Sequence, residues 1–190
     1  TGTRDSGRFL AIAFFADEMR IWDYNRFIHD LNGMTEEEFY QRLSEDFRLE
    51  PAEPGKPARK GEFILYLNGK WTKMTYTGAV PENNPVAKLD VSILSERVLA
   101  RLLNITDLRN DERIEFVGGI RGAEEIKRLA DARPGSAGIL VYPTAIDELI
   151  AVADAKLLMP PKSTWFEPKP ADGPVSNPAD DAAGEIKQTA

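Results

Sequence analysis

The chain has 190 residues, 42% of them hydrophobic and 29% charged, with a net charge of −7. That is enough apolar material for one core, and the acidic balance argues against bulk binding to DNA or anionic membrane. It has no cysteine and a single histidine, His29, which excludes disulfides and thiolate chemistry and argues against a His-rich metal site or a His-paired serine triad.

The opening, Thr1-Gly2-Thr3-Arg4-Asp5-Ser6-Gly7, is a polar linker composition without a leading methionine. It reads as the start of a piece of a longer protein. The apolar run Arg8 to Phe15, the turn-like Ala16-Asp17-Glu18 and the segment Met19 to Asp23 predict a first hairpin. Asn25, Arg26, Asp30 and Asn32 form a polar cluster that reads as solvated turns. Thr35 with Glu38 is a capping box, and Phe39, Leu43 and Phe47 recur at helical spacing, so Thr35–Phe47 is an expected amphipathic helix.

Pro51 to Lys60 is rich in proline and charge and reads as an exposed connection. Glu62–Leu67 and Lys70–Tyr76 flank Asn68-Gly69, a strong hairpin signal. Val91, Leu94, Val98 and Leu102 predict a helix over Val91–Leu103, with Asp90 and Ser92 as its caps. The last third alternates: a strand at Ile114–Val117, a helix at Ala123–Ala132, a strand at Ala137–Tyr142 and a helix capped by Thr144. That β-α-β-α order permits a parallel pair with a right-handed crossover. The expected class is mixed α/β (α+β): two antiparallel hairpins plus the β-α-β-α segment, in one compact domain over 1–169. From 170 to 190 the composition predicts a disordered acidic tail. No apolar run reaches the ~20 residues of a membrane span, and there is no signal-peptide pattern, so the expected compartment is the cytoplasm.

Two segments carry candidate chemistry. Gly118-Gly119-Ile120-Arg121-Gly122 joins a strand to a helix; its glycines permit close backbone approach to a ligand and Arg121 can fork a phosphate or carboxylate. A tight strand-to-helix turn is the plainer explanation. Met159-Pro160-Pro161-Lys162-Ser163-Thr164-Trp165-Phe166-Glu167-Pro168-Lys169 is predicted to be a rigid, extended loop. Lys162, Ser163 and Thr164 suit an anion, although Pro160 and Pro161 lack the N–H groups of a phosphate loop. The alternative is a structural strap pinned by Trp165 and Phe166. Arg113 and Glu115 share one face of a strand and must be paired or functional if that face is buried. The expected anion-binding set is Arg113, Gly118, Gly119, Arg121, Gly122, Lys162, Ser163, Thr164, Glu167 and Lys169, with Arg121 and Lys162 facing one cleft.

Tyr24-Asn25-Arg26, Asp30-Leu31-Asn32-Gly33, Leu89 to Leu94, Arg113 to Gly122, Tyr142-Pro143-Thr144 and Met159 to Lys169 occur in that order. They resemble the C-terminal half of a bacterial family called domain of unknown function 1015 (DUF1015), labelled ParB-like or SpoOJ-like, from Arg8 to Lys169. The family's other hallmark is an Asp-Gly-His-His-Arg motif in the preceding half, similar to the phosphate-contacting motif of ParB-like and free-serine-kinase domains; this chain does not contain it. The resemblance implies the accessory half of a cytoplasmic protein that handles a nucleotide or phosphorylated metabolite in a kinase-like way. Any magnesium would arrive with the nucleotide, the partner would be the N-terminal half, and this half alone would be inactive. The alternative it implies is a non-catalytic interaction module of a ParB-like protein.

Overall fold

The computed structural model describes residues 11–15 and 18–169. The chain divides into two units, 21–166 and 1–20 with 167–190. The expected strand over Arg8–Phe15 lies partly outside the described residues, and its described part, 11–15, carries no strand. The expected tail from 170 to 190 lies outside them.

A six-stranded sheet organises the larger unit. Its strands are β2 (Tyr24–Ile28), β3 (Phe47–Pro51), β4 (Glu62–Leu67), β5 (Lys70–Tyr76), β6 (Ile114–Gly118) and β7 (Ala137–Val141), in the order β3-β5-β4-β7-β2-β6. Every neighbouring pair is antiparallel. The mixed α+β class is as expected, and the β4–β5 hairpin turns through Asn68 (φ 47°) and Gly69 (φ 81°). The β-α-β-α segment does not form an adjacent parallel pair: β6 and β7 flank β2, and each pairs with it. The short strands β1 (Arg20–Trp22) and β8 (Trp165–Glu167) form a separate two-stranded sheet.

The polar stretch Tyr24-Asn25-Arg26, expected as a turn, is therefore a central strand. Its aromatic and β-branched neighbours Tyr24, Phe27 and Ile28 favour extended backbone, and pairing on both edges satisfies its amides. The capping box does start α1 (Glu36–Leu43): the Thr35 hydroxyl accepts from the Glu38 amide at 3.2 Å, and the Glu38 carboxylate accepts from the Thr35 amide at 2.8 Å. The helix ends at Leu43, short of Phe47, which opens β3. The anticipated single long helix is α2 (Asp90–Leu94) continued by wider π-helical turns over 95–100.

Alternation along the strands sends side chains to two faces. On one, Ile28, Phe63, Leu65, Leu67, Ile139 and Val141 pack with Phe39 and Leu43 of α1 and with Val91, Leu94, Val98 and Leu99. On the other, Phe27, Ile64, Tyr66, Val117 and Leu140 pack with Ile126 and Ala130 of α3 (Gly122–Asp131). Gly138 lets α3 approach, since a Cβ there would overlap the Ile126 side chain. Each fully buried Leu, Ile or Phe side chain supplies roughly 1.5–3 kcal/mol of transfer free energy. In α4 (Ile146–Asp154) only Val152 is buried, and Ile146 and Ile150 are about half exposed.

Two expected caps do other work. Leu89, not Asp90, is the N-cap of α2; both carboxylate oxygens of Asp90 accept the Gly61 amide at 3.0 Å, joining the helix to the start of β4. Burial raises the Asp90 carboxyl to about 6, against the hydrogen bond from Gly61. Thr144 does not cap α4; Ala145 does, and the Thr144 hydroxyl instead donates to the Ser163 carbonyl at 3.2 Å.

Candidate functional site

The first residues of β2 and the approach to it bury an unusual amount of polarity. Arg26 and Asn25 are fully buried, and Asp23 is 2% exposed. The Asn25 amide oxygen accepts the Val141 amide at 3.1 Å, extending the β2–β7 ladder through a side chain. Arg26 lies opposite Phe116 on β6, with its guanidinium carbon 4.8 Å from the ring centroid, and one terminal nitrogen donates to the Tyr24 carbonyl. Its Nε and Nη2, the Asn25 Nδ2 and both Asp23 carboxylate oxygens are buried without a hydrogen-bond partner. Burial pulls the guanidinium down to about 10, while the Asp23 carboxylate acts in the opposite direction. Buried polar groups without a hydrogen bond are costly.

The glycine segment packs against this cluster. The Gly119 amide donates to the Asp23 carbonyl at 2.8 Å, and a Cβ on Gly119 would overlap the Asp23 carboxylate. A Cβ on Gly118 would lie 2.6 Å from Cζ3 of Trp165. Gly122 has a φ of 67°, a left-handed conformation suited to glycine at the entry to α3. Lys56 reaches in from the 52–60 connection: its ammonium is 3.5 Å from Asp23 Oδ1 and 4.1 Å from the Trp22 ring centroid.

The proline-rich loop closes over the same strand. The Trp165 and Tyr24 rings are 5.4 Å apart, and the Lys162 ammonium lies 5.7 Å from the Tyr24 centroid. The loop is not extended throughout: residues 161–162 form a turn, with Lys162 at a φ of 52°. That local fold carries the chain back toward β2 after the two prolines. Beside it is a cavity of about 420 Å³ lined by Leu108, Arg109, Asp111, Ile114, Phe116, Pro161 and Lys162.

The expected site residues therefore part company. Gly118, Gly119 and Lys162 gather around β2. Ser163 is buried, and its carbonyl is held by Thr144; Thr164 is half-buried beside it in sequence. Arg121 is exposed, pairs with Glu125 of its own helix at 3.7 Å and does not line the Lys162 cavity. Arg121 and Lys162 are held on different partners: Arg121 on Glu125 of its own helix and Lys162 over the Tyr24 ring. Arg113 forks onto Asp111 at 2.9 and 3.2 Å and donates to the Leu103 and Asn104 carbonyls at 3.0 and 3.1 Å, so it closes the loop after the helix. Glu115, the other residue of that strand face, meets His29 Nε2 at 2.6 Å. Glu167 and Lys169 fall in the smaller unit. Sequence reasoning did not foresee the buried cluster of Asp23, Asn25 and Arg26 with Lys56 at its edge. The available signal was the Tyr24-Asn25-Arg26 motif itself, whose polar residues sit between strand-forming aromatics.

Among the described residues, no group of three or more His, Asp or Glu side chains is placed to hold a metal ion, and no helix is long and apolar enough to cross a membrane. A magnesium ion here would depend on ligand phosphates for much of its coordination.

The family described as "Protein of unknown function (DUF1015)" matches over residues 1–92, just under half of the chain, which supports the membership that the motifs imply. No curated protein matches this chain. Among solved structures, the chain is similar to a free serine kinase mutant in complex with AMP, at 19% identity and a TM-score of 0.45, over 82% of this chain and 57% of that one. It is also similar to a conserved hypothetical protein from Pyrococcus furiosus, at 18% identity and a TM-score of 0.45, over 82% of this chain and 59% of that one. The chain thus spans somewhat over half the length of these structures.

Proposed function

We propose that this chain is the accessory, anion-holding half of a protein that handles a nucleotide or another phosphorylated metabolite. One observation carries the reading: the buried Arg26 guanidinium keeps two donor nitrogens unpaired on the same strand as Tyr24, over whose ring Lys162 is held. A guanidinium is suited to planar, bidentate recognition of phosphate, and burial strengthens any charge-assisted bond it makes. Lys162 supplies a mobile point charge at the rim, and the hydroxyl of Thr164 follows two residues later. Gly118 and Gly119 let Trp165 and Asp23 pack close against the end of β6.

In this reading the chain binds and orients the anion, and the transferring groups belong to a segment with the phosphate-contacting histidines. That accords with the kinase-like, two-part arrangement implied by the motifs. Calorimetric titration of the chain with AMP, ADP, pyrophosphate and phosphoserine tests it. At least one should bind, and Lys162→Ala should weaken that binding by about tenfold, as for loss of a charge-assisted hydrogen bond. Absence of binding by all four at millimolar concentration, or binding indifferent to Lys162, overturns it.

A further inference from the structure

The cavity beside Lys162 has a composition that narrows its occupant. Four of its lining side chains, Leu108, Ile114, Phe116 and Pro161, are apolar, and two, Arg109 and Lys162, are cationic. The seventh, Asp111, already accepts two hydrogen bonds from the Arg113 guanidinium, so its charge is largely spent within the protein. Arg113 in turn is spent on Asp111 and two backbone carbonyls. The charge offered to a ligand is therefore positive, and it sits on apolar walls. At about 420 Å³ the space exceeds what inorganic phosphate needs and is in the range of small-molecule sites.

We infer that this cavity takes a small free metabolite built as an apolar or aromatic body carrying one phosphate or carboxylate. The inference rests on the reading of Lys162 as an anion contact and specifies what is attached to the anion. Arg109 and Lys162 take the charged end. Leu108, Ile114, Phe116 and Pro161 take the body. A polyhydroxylated body is disfavoured, because four hydrocarbon walls would leave its hydroxyls without partners once water is displaced. An uncharged body forfeits the pairing with the two cations.

Phenyl phosphate, glycerol phosphate, inorganic phosphate and phenol are the probes, titrated calorimetrically against the whole chain. Phenyl phosphate should bind at least about tenfold more tightly than glycerol phosphate or inorganic phosphate, the gain expected for burying a ring. Arg109→Ala and Lys162→Ala, both at exposed positions, should each weaken phenyl phosphate several-fold. Leu108→Asp should abolish its advantage over inorganic phosphate. Circular dichroism melting of each variant separates a local effect from misfolding. Equal binding of phenyl, glycerol and inorganic phosphate, all sensitive to Lys162, overturns the inference and leaves the anion reading standing. No binding by any phosphate overturns this inference. Phenyl phosphate binding that ignores Arg109, Lys162 and Leu108, or phenol binding as tight as phenyl phosphate, also overturns it.

Discussion

Gly118 lies against the indole of Trp165, so close that a Cβ would come within 2.6 Å of Cζ3. This contact joins the end of β6 to the proline-rich loop, two motif segments more than forty residues apart in sequence. Gly118→Ala should therefore destabilise the protein by about 1–3 kcal/mol, the usual cost of overpacking. Trp165→Leu in the same chain should recover much of that loss. Urea unfolding of both single variants and the double variant measures the coupling; strict additivity would show that the indole moves aside freely.

Arg26 separates stability from function. Its guanidinium is fully buried and incompletely hydrogen-bonded, and the buried Asp23 carboxylate acts on it, so an apolar side chain of similar length is tolerated only with Asp23 neutralised as well. Arg26→Met with Asp23→Asn is expected to keep the melting temperature within a few degrees of the original and to lose anion binding. A large fall in melting temperature with no change in binding would make Arg26 a structural residue.

Lys56 holds the 52–60 connection to the sheet through Asp23 and Trp22. Lys56→Ala removes a cation from a buried carboxylate and should cost about 1–3 kcal/mol. Asp23→Asn in the Lys56→Ala background should restore part of it, because an amide needs no counter-charge. Denaturant titration of the four-member cycle reads the coupling, and its absence would mean that Lys56 acts only by stacking on Trp22.

Asp90 gives a pH signature of defined sign. Its carboxyl is raised by burial from an ordinary 3.8 to about 6, so the folded state holds the proton more tightly than the unfolded chain. The stability from this group is complete below about pH 3.8 and is lost as pH rises through about 6. Other carboxylates act oppositely: hydrogen bonds and ion pairs lower Glu36, Asp111 and Asp131, and their stabilisation fades as the medium turns acid. The Asp90 effect therefore appears as the difference between the original chain and Asp90→Asn, measured by urea unfolding from pH 4 to 8. The difference should shift in favour of the variant as pH rises, by roughly 3 kcal/mol at most. A pH-independent difference would place the Asp90 proton affinity at the unfolded value.

Local physics made several elements legible before any tertiary contact. The Thr35–Glu38 box and the Asn68-Gly69 turn each depend on residues within one or two turns of chain, and they start α1 and turn the β4–β5 hairpin as expected; the helix expected over Ala123–Ala132 forms as α3. The constrained segments around Gly118–Gly122 and Pro160–Lys162 were also legible, because glycine and proline set backbone freedom locally. What the chain could not disclose locally was pairing. Tyr24-Asn25-Arg26 has the composition of a turn and becomes a central strand only because β6 and β7 satisfy its amides on both sides. Arg26 changes from a presumed surface charge to a buried one by that same placement. Asp90 and Thr144, helix-capping residues by local rules, were drawn to Gly61 and Ser163, partners distant in sequence. Arg121 was drawn to Glu125 on its own helix, and Lys162 to the Tyr24 ring. Sequence determined the periodic elements and the constrained segments, since those follow from short-range sterics and hydrogen bonding. Tertiary structure decided which polar residues were buried and which charges met, because both depend on neighbours brought together only by the sheet.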